Sequence, residues 1–274
     1  MLPASIDQLP TLGAAFEAAL DAGLAELGLL GGAADAAAAR RSYEAHARLL
    51  AAWGEAINLT AVREPEAVAL RHVCDSLSAV PHLAARLAGG DTLLDLGSGA
   101  GYPGLPLAAA LPLARVALVE SVGKKARFLR VAAAAVTGQL AESKPEAAPT
   151  IEVFPERAED LAEDAAHRGT WGVVTARAVG SLAEVVELGL PLLREGGWLV
   201  AWKRESETLA LQAELRDAGP ILRLTGGGRP GVVRVPASSL AEHRLVFVRK
   251  DRSTPATFPR LAGVRKRGRN KGAG

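Results

Sequence analysis

Residues 93–104 read Leu93-Leu94-Asp95-Leu96-Gly97-Ser98-Gly99-Ala100-Gly101-Tyr102-Pro103-Gly104, an apolar run closed by an acid and then glycines at alternate positions. Glycines permit positive backbone angles and let a ligand approach bare main chain. Glu120, nineteen residues past Gly101, ends the next apolar run. A carboxylate placed there can accept hydrogen bonds from ribose hydroxyls. Arg177 ends a later apolar run. Its planar fork could orient a carbonyl oxygen or a phosphate bidentately, or it could pair structurally with an acid such as Glu184. Together these groups suit a nucleoside-bearing cofactor held beside a polar substrate.

Two cofactors compete for this geometry. Gly99-x-Gly101-x-x-Gly104 matches the dinucleotide fingerprint, in which a helix N-terminus binds pyrophosphate. The wider spacing Asp95-x-Gly97-x-Gly99-x-Gly101 is that of S-adenosylmethionine sites, where the loop packs on the amino-acid portion of the cofactor. The acid two residues before the first glycine discriminates: Asp95 is placed to organise the loop or to hold the cofactor's ammonium group.

These residues need a scaffold that gathers strand ends. The first ninety residues read as helices, over Leu9–Leu30, Ala33–Ile57 and Pro65 to about Leu87, with Gly31-Gly32 and Gly89-Gly90 as breaks. Thereafter short apolar runs alternate with amphipathic stretches. Strands are expected at Thr92–Leu96, Arg115–Val119, Ile151–Phe154, Trp171–Ala176 and Trp198–Trp202. Helices are expected at Leu105–Leu111, Lys124–Val136, Arg157–Asp164, Ser181–Leu193 and Thr208–Asp217. That alternation predicts an α/β fold, a mostly parallel sheet with helices on both faces. Two late strands, Ile221–Thr225 and Arg244–Lys250, are separated by a loop around Gly226-Gly227-Gly228 and predict an antiparallel edge strand. The division expected is an N-terminal helical segment over 1–90 packed on the core, a cofactor-binding domain over 91–250 and a flexible basic tail over 251–274.

Composition excludes several classes. Apolar residues make up 49% and charged residues 23% of the 274, the balance of a globular protein rather than a disordered one. No apolar run approaches the roughly 20 residues that span a bilayer. The amino terminus carries no secretory signal pattern, so a cytoplasmic location is expected. The one cysteine, Cys74, excludes an internal disulfide and a cysteine zinc cluster, and reads as a small buried apolar group. His46, His82, His167 and His243 show no ligand spacing, and no metal is expected. The chain carries a net charge of +2, yet residues 249–274 hold nine basic residues against one acid. A basic tail on an acidic body suggests a polyanionic partner.

Four blocks resemble the bacterial small-subunit ribosomal RNA guanine-N7 methyltransferases, also called glucose-inhibited division protein B. They are Asn58-Leu59-Thr60-Ala61-Val62-Arg63-Glu64-Pro65, Arg71-His72-Val73-Cys74-Asp75-Ser76-Leu77, the glycine loop through Val119-Glu120-Ser121-Val122-Gly123-Lys124-Lys125, and Thr175-Ala176-Arg177-Ala178-Val179 with Pro191-Leu192-Leu193 and Lys203. The resemblance spans roughly residues 40 to 250. It implies a Rossmann-like class I methyltransferase with a seven-stranded sheet, S-adenosylmethionine as cofactor, and 16S rRNA in an assembled or partly assembled small subunit as partner of a monomer. The cofactor contacts expected are Asp95, Gly97, Ser98, Gly99, Tyr102, Glu120, Ser121, Val122, Ala158, Glu159 and Arg177, with Ala158 and Glu159 meeting the adenine ring. Arg177 is also the expected orienting residue at the target base. Candidate RNA contacts are Asn58, Arg63, His72 and Lys203, together with Arg265, Lys266, Arg267, Arg269 and Lys271, which would meet phosphates without reading sequence.

The absent residues fit that chemistry. Guanine N7 has its own lone pair, so attack on a sulfonium methyl needs no general base. Cytosine-carbon methylation would want a cysteine nucleophile. Exocyclic adenine methylation usually shows an Asn/Asp-Pro-Pro-aromatic segment where this chain reads Thr175-Ala176-Arg177-Ala178. The remaining alternatives are a methyltransferase of this fold acting on another RNA or a small molecule, a dinucleotide-binding oxidoreductase, and a non-catalytic RNA-binding module.

Overall fold

The computed structural model describes residues 2–3, 5–54, 56–143, 148–205 and 210–260. Its sheet is built from β1 (Asp91–Leu96), β2 (Leu113–Val119), β3 (Thr150–Phe154), β4 (Trp171–Arg177), β5 (Leu193–Arg204), β6 (Gly231–Arg234) and β7 (His243–Arg249). The order across the sheet is β3-β2-β1-β4-β5-β7-β6. The first five strands pair in parallel, while β7 pairs antiparallel with both β5 and β6. The order reverses at β1, whose neighbours are β2 and β4, and the crevice beyond the strand ends there is where ligands bind in open α/β sheets.

The strands are near-continuous apolar runs because both faces are covered. Successive residues point to opposite sides: Leu93, Val116, Leu118 and Val173 join one core layer, and Leu94, Ala117, Val119 and Val174 join the other. The first layer also contains α1 (Gly13–Glu26), α2 (Ala37–Gly54), α6 (Gly104–Ala110) and α7 (Gly123–Ala141), through Phe16, Leu20, Leu49, Leu107 and Phe128. The described residues before β1 therefore share a core with the sheet. The second layer holds α8 (Ala158–Glu163), α9 (Leu182–Gly189) and α10 (Ala210–Thr225).

Three elements differ from expectation. The helix from Pro65 is interrupted: α3 (Pro65–Val68) passes into a π-helical turn (Ala69–Cys74), then α4 (Asp75–Leu77), and restarts as α5 (Val80–Ala84). Pro81 in the first turn of α5 lacks an N–H, so it opens a helix better than it continues one. Ile221–Thr225 is the last turn of α10 and not a strand; Thr225 Oγ1 donates to the Ile221 carbonyl at 2.7 Å, and Gly226 ends the helix with a positive φ of 82°. The outermost strand is instead β6, four residues long, hydrogen-bonded to the antiparallel β7.

Residues 251–260, placed by the sequence in a flexible tail, are held against the second layer. Arg168 donates to the carbonyls of Ala162, Thr254, Pro255 and Phe258. The buried Lys250 ammonium donates to the carbonyls of Leu190 and Thr225, and Arg260 pairs with Glu187 at 2.6 Å. Arg265, Lys266, Arg267, Arg269 and Lys271 lie outside the described residues.

Candidate active site

The glycine loop leaves β1 through three left-handed residues, Gly97, Gly99 and Gly101, with φ of 62°, 56° and 86°. A Cβ at Gly97 would lie 3.0 Å from Val179, whereas one at Gly99 would meet only the Gly97 carbonyl, at 3.7 Å. Close packing enforces glycine at the first position, and the second leaves its backbone bare. Ser98 is buried: its Oγ donates to the Asp95 carbonyl at 2.9 Å and its N–H to Val119, tying the loop to β2.

Asp95 is the internal post of this loop. Its side chain is fully buried; Oδ1 accepts from Thr175 Oγ1 at 2.7 Å and Oδ2 from the Gly104 N–H at 3.2 Å. Burial raises its pKa to about 6, against the lowering effect of those donors. Of the two roles open to Asp95, the geometry displays loop organisation.

Glu120, just beyond the end of β2, is also buried. Its Oε2 accepts from the Gly99 N–H at 3.1 Å and its Oε1 from the Val122 N–H at 2.8 Å. Each oxygen keeps a further lone pair for a ribose hydroxyl. Ser121 and Val122 are exposed beside it, and Ala158 and Glu159 open α8 next along the strand ends. These residues fit a nucleoside: a carboxylate with a lone pair to spare on each oxygen, exposed main chain at Gly97, and an exposed apolar Val122.

Arg177 stands at the end of β4, its side chain 18% exposed. Nη1 donates to Asp75 Oδ2 at 2.9 Å and to the Arg71 carbonyl at 3.1 Å; Nη2 lies 3.3 Å from His72 Nδ1. An acid that pairs with it is Asp75 of the interrupted helix. Ala178 follows with φ of 58°, a left-handed conformation unusual outside glycine, which turns the chain sharply behind the arginine.

Beneath the guanidinium lies Tyr102, 5.5 Å from it and itself only 3% exposed. Its ring stacks on His46 at 4.3 Å and on His72 at 4.9 Å, and its hydroxyl is buried without a hydrogen-bond partner. Burial raises the phenol's pKa. Tyr102 thus supports Arg177 rather than facing the open side of the loop. His46, from α2, hydrogen-bonds the Ala100 carbonyl at 2.7 Å, and burial pushes its pKa down to about 3. It is a neutral ring that braces the loop from behind.

The sequence reading missed three residues of this cluster. His46 braces the loop, His243 Nδ1 lies 2.7 Å from Asp75 Oδ1, and Trp202 Nε1 donates to the Asp75 carbonyl at 2.8 Å. They come from α2, β7 and β5, and no local spacing joins them. Lys203 is brought to the strand ends but is engaged there, donating to the Gly180 carbonyl at 2.8 Å and pairing with Glu214 at 2.6 Å. Asn58 and Arg63 are exposed on the loop before the interrupted helix. Cys74 is buried, its thiol pushed up to about 12 by burial, which removes it as a nucleophile. Among the described residues no group of three His, Cys, Asp or Glu could hold a metal ion, and no helix is long and apolar enough to cross a membrane.

A mostly parallel seven-stranded sheet carrying antiparallel β7, with a glycine loop after β1 and an acid after β2, defines a Rossmann-like methyltransferase. The family model described as rRNA small subunit methyltransferase G matches residues 40–218. A protein called ribosomal RNA small subunit methyltransferase G from Rubrobacter xylanophilus is 40% identical over 227 residues, 81% of this chain and 80% of that one. Proteins of the same name from Roseiflexus castenholzii and Desulfitobacterium hafniense are 38% and 35% identical, covering 82% and 81% of this chain and 90% and 85% of theirs. The chain belongs to the rRNA small subunit methyltransferase G family.

Proposed function

We propose that the protein methylates N7 of one guanine of 16S rRNA, with S-adenosylmethionine as donor, acting as a cytoplasmic monomer on an assembled or partly assembled small subunit. The observation that carries this reading is the placement of Arg177: a guanidinium fixed by Asp75 at a strand end, one β-strand away from the glycine loop. Such a fork suits the O6 oxygen beside guanine N7. The donor supplies a methyl group on a positively charged sulfur.

This chain's residues then bind and orient. Glu120 would accept from the ribose hydroxyls, the bare backbone of Gly97 and Gly99 would line the amino-acid end, and Val122, Ala158 and Glu159 would flank the adenine. The nucleophile is a ring nitrogen with its own lone pair, so no side chain need remove a proton. The pKa values of His46 and His72 are pushed down to about 3 and about 4, which makes both rings weak bases, in keeping with a site that does no general-base work. In-line positioning can supply several kcal/mol of rate enhancement. Asn58 and Arg63, exposed on the loop before the interrupted helix, join His72 and Lys203 as the candidate RNA contacts among the described residues.

The test is nucleoside mass spectrometry of rRNA from cells lacking the gene, with labelled methyl donor supplied in parallel to purified protein plus free rRNA or intact small subunits. Loss of one N7-methylguanine in the cells, and label entering the same base in vitro, is the expected result. Persistence of every N7-methylguanine overturns the reading.

A further inference from the structure

The His72 ring lies between two things that must act together: the arginine at the strand ends and the exposed loop that carries Asn58 and Arg63. Its Nε2 is 2.9 Å from Thr60 Oγ1, and that hydroxyl also accepts from the Val62 N–H at 3.1 Å. Its Nδ1 has two neighbours, Arg177 Nη2 at 3.3 Å and the Arg71 carbonyl at 3.1 Å.

These two contacts demand opposite protonation of the same nitrogen. An arginine only donates, so the bond from Nη2 requires a bare Nδ1; a carbonyl only accepts, so the bond to Arg71 requires a protonated one. Burial, followed by the neighbouring Arg177 charge, pushes the His72 pKa down to about 4, so the ring carries a single proton at neutral pH. With that proton on Nε2, His72 donates to Thr60 and accepts from Arg177. With it on Nδ1, the ring donates to Arg71, accepts from the Thr60 hydroxyl, and releases Nη2. Every ring nitrogen stays hydrogen-bonded in both arrangements, which makes the exchange inexpensive. Meanwhile Asp75 and the Arg71 carbonyl keep hold of Nη1. Nη2 makes the longest of the arginine's three contacts and is the donor free to turn to a substrate.

We propose that His72 is a positioning residue that holds or releases the Nη2 edge of Arg177 according to how Thr60 sits, so that RNA seated on the 58–63 loop frees the arginine to engage the base. This rests on the reading of Arg177 given above. The coupling runs through one continuous chain of hydrogen bonds, from the Val62 amide through Thr60 and His72 to Arg177.

Thr60→Val tests it, because the half-exposed hydroxyl is lost without a change of shape. Methylation of small subunits should show kcat lowered about three- to tenfold, the weight of one hydrogen bond, while cofactor affinity stays at the wild-type value and the melting temperature falls by no more than about 5 °C. Thr60→Ser should restore the rate. In an Arg177→Lys background, which lacks the second forked donor, Thr60→Val should cost nothing more. A kcat untouched by Thr60→Val, an equal loss in both backgrounds, or failure of serine to rescue overturns the proposal. Nitrogen NMR of the His72 ring in the free protein provides a readout that does not depend on turnover. The tautomer ratio should change in Thr60→Val and in Arg177→Lys, and an unchanged ratio overturns the relay even if small subunits are methylated. Conversely, no methylation of small subunits by wild-type protein, with the ratio still responsive, faults the proposed substrate and leaves the relay standing.

Discussion

Asp75 and Arg177, 102 residues apart in the chain, meet at 2.9 Å where the helical layer abuts the sheet, with the Asp75 side chain only 3% exposed. The carboxylate is divided between this arginine and His243, so it fixes the ends of β4 and β7 to one helix. A desolvated ion pair contributes little relative to an apolar substitute, but removing one member strands the other. Asp75→Asn should therefore lower stability by about 3 kcal/mol and the melting temperature by on the order of 10 °C. Methyl transfer should fall at least about tenfold, because the arginine loses its bearing and small misplacements are costly. Urea titration alongside calorimetry of the methyl donor checks this: cofactor affinity should change far less than turnover.

Glu120 separates binding from chemistry in the opposite sense. Its two oxygens accept from the Gly99 and Val122 N–H groups, which aligns the carboxylate before any hydroxyl arrives. Glu120→Gln keeps the size but turns one oxygen into a donor facing main-chain N–H groups. Hydrogen bonds to a charged group are worth about 1.5–3 kcal/mol, so the methyl donor should bind about ten- to a hundredfold more weakly. At saturating donor, kcat should recover most of its wild-type value. Calorimetry and initial rates over a donor series measure both.

Asp95 gives a pH signature. Its pKa is raised from 3.8 to about 6 on folding, chiefly by burial. The folded state therefore holds this proton more tightly than the unfolded chain, and the contribution of Asp95 to stability is greatest below pH 4, falling as pH rises to about 6. Asp95→Asn removes that dependence while still accepting from the Gly104 N–H. The stability difference between wild type and variant should shift by on the order of 3 kcal/mol between those limits, in favour of the variant at higher pH. Paired urea midpoints at each pH provide the measurement, since the other carboxylates cancel in the difference.

What could be read from the sequence was what is local. Asp95, the alternate glycines and Glu120 lie within 26 residues on one strand–loop–helix–strand path, and apolar runs with glycine punctuation mark such a path directly. The support beneath Arg177 is assembled from long range: His46 reaches Ala100 across 54 residues, and Asp75 reaches His243 across 168. No spacing rule links residues that meet only because β7 inserts beside β5. The misplaced strand at Ile221–Thr225 has a different cause. Its β-branched ends favour a strand locally, but Leu211, Ala218 and Leu222 bury one stripe of α10 in the second core layer, and that packing carries the helix through Pro220. The true edge strand, Gly231–Arg234, is too short, and too closely bounded by Pro230 and Pro236, to leave a signal.

Ala178 stores strain next to the arginine. With φ of 58° it pays the left-handed penalty of about 1 kcal/mol that a glycine would not. Gly180 soon follows, yet the left-handed residue is the alanine, so the Cβ must sit in the tight turn that separates Arg177 from Val179. Ala→Gly substitutions normally destabilise, because glycine gains freedom in the unfolded chain. Here the relief of the turn should outweigh that loss, and Ala178→Gly should leave stability unchanged or raise it by about 0.5 kcal/mol. Turnover should fall nonetheless, since Val179, 3.0 Å from where a Gly97 Cβ would stand, would be held less firmly against the glycine loop. Denaturant midpoints and methylation rates measured on the same preparation decide it: a loss of stability comparable to an ordinary helix Ala→Gly change, near 1 kcal/mol, would show that the turn is not strained.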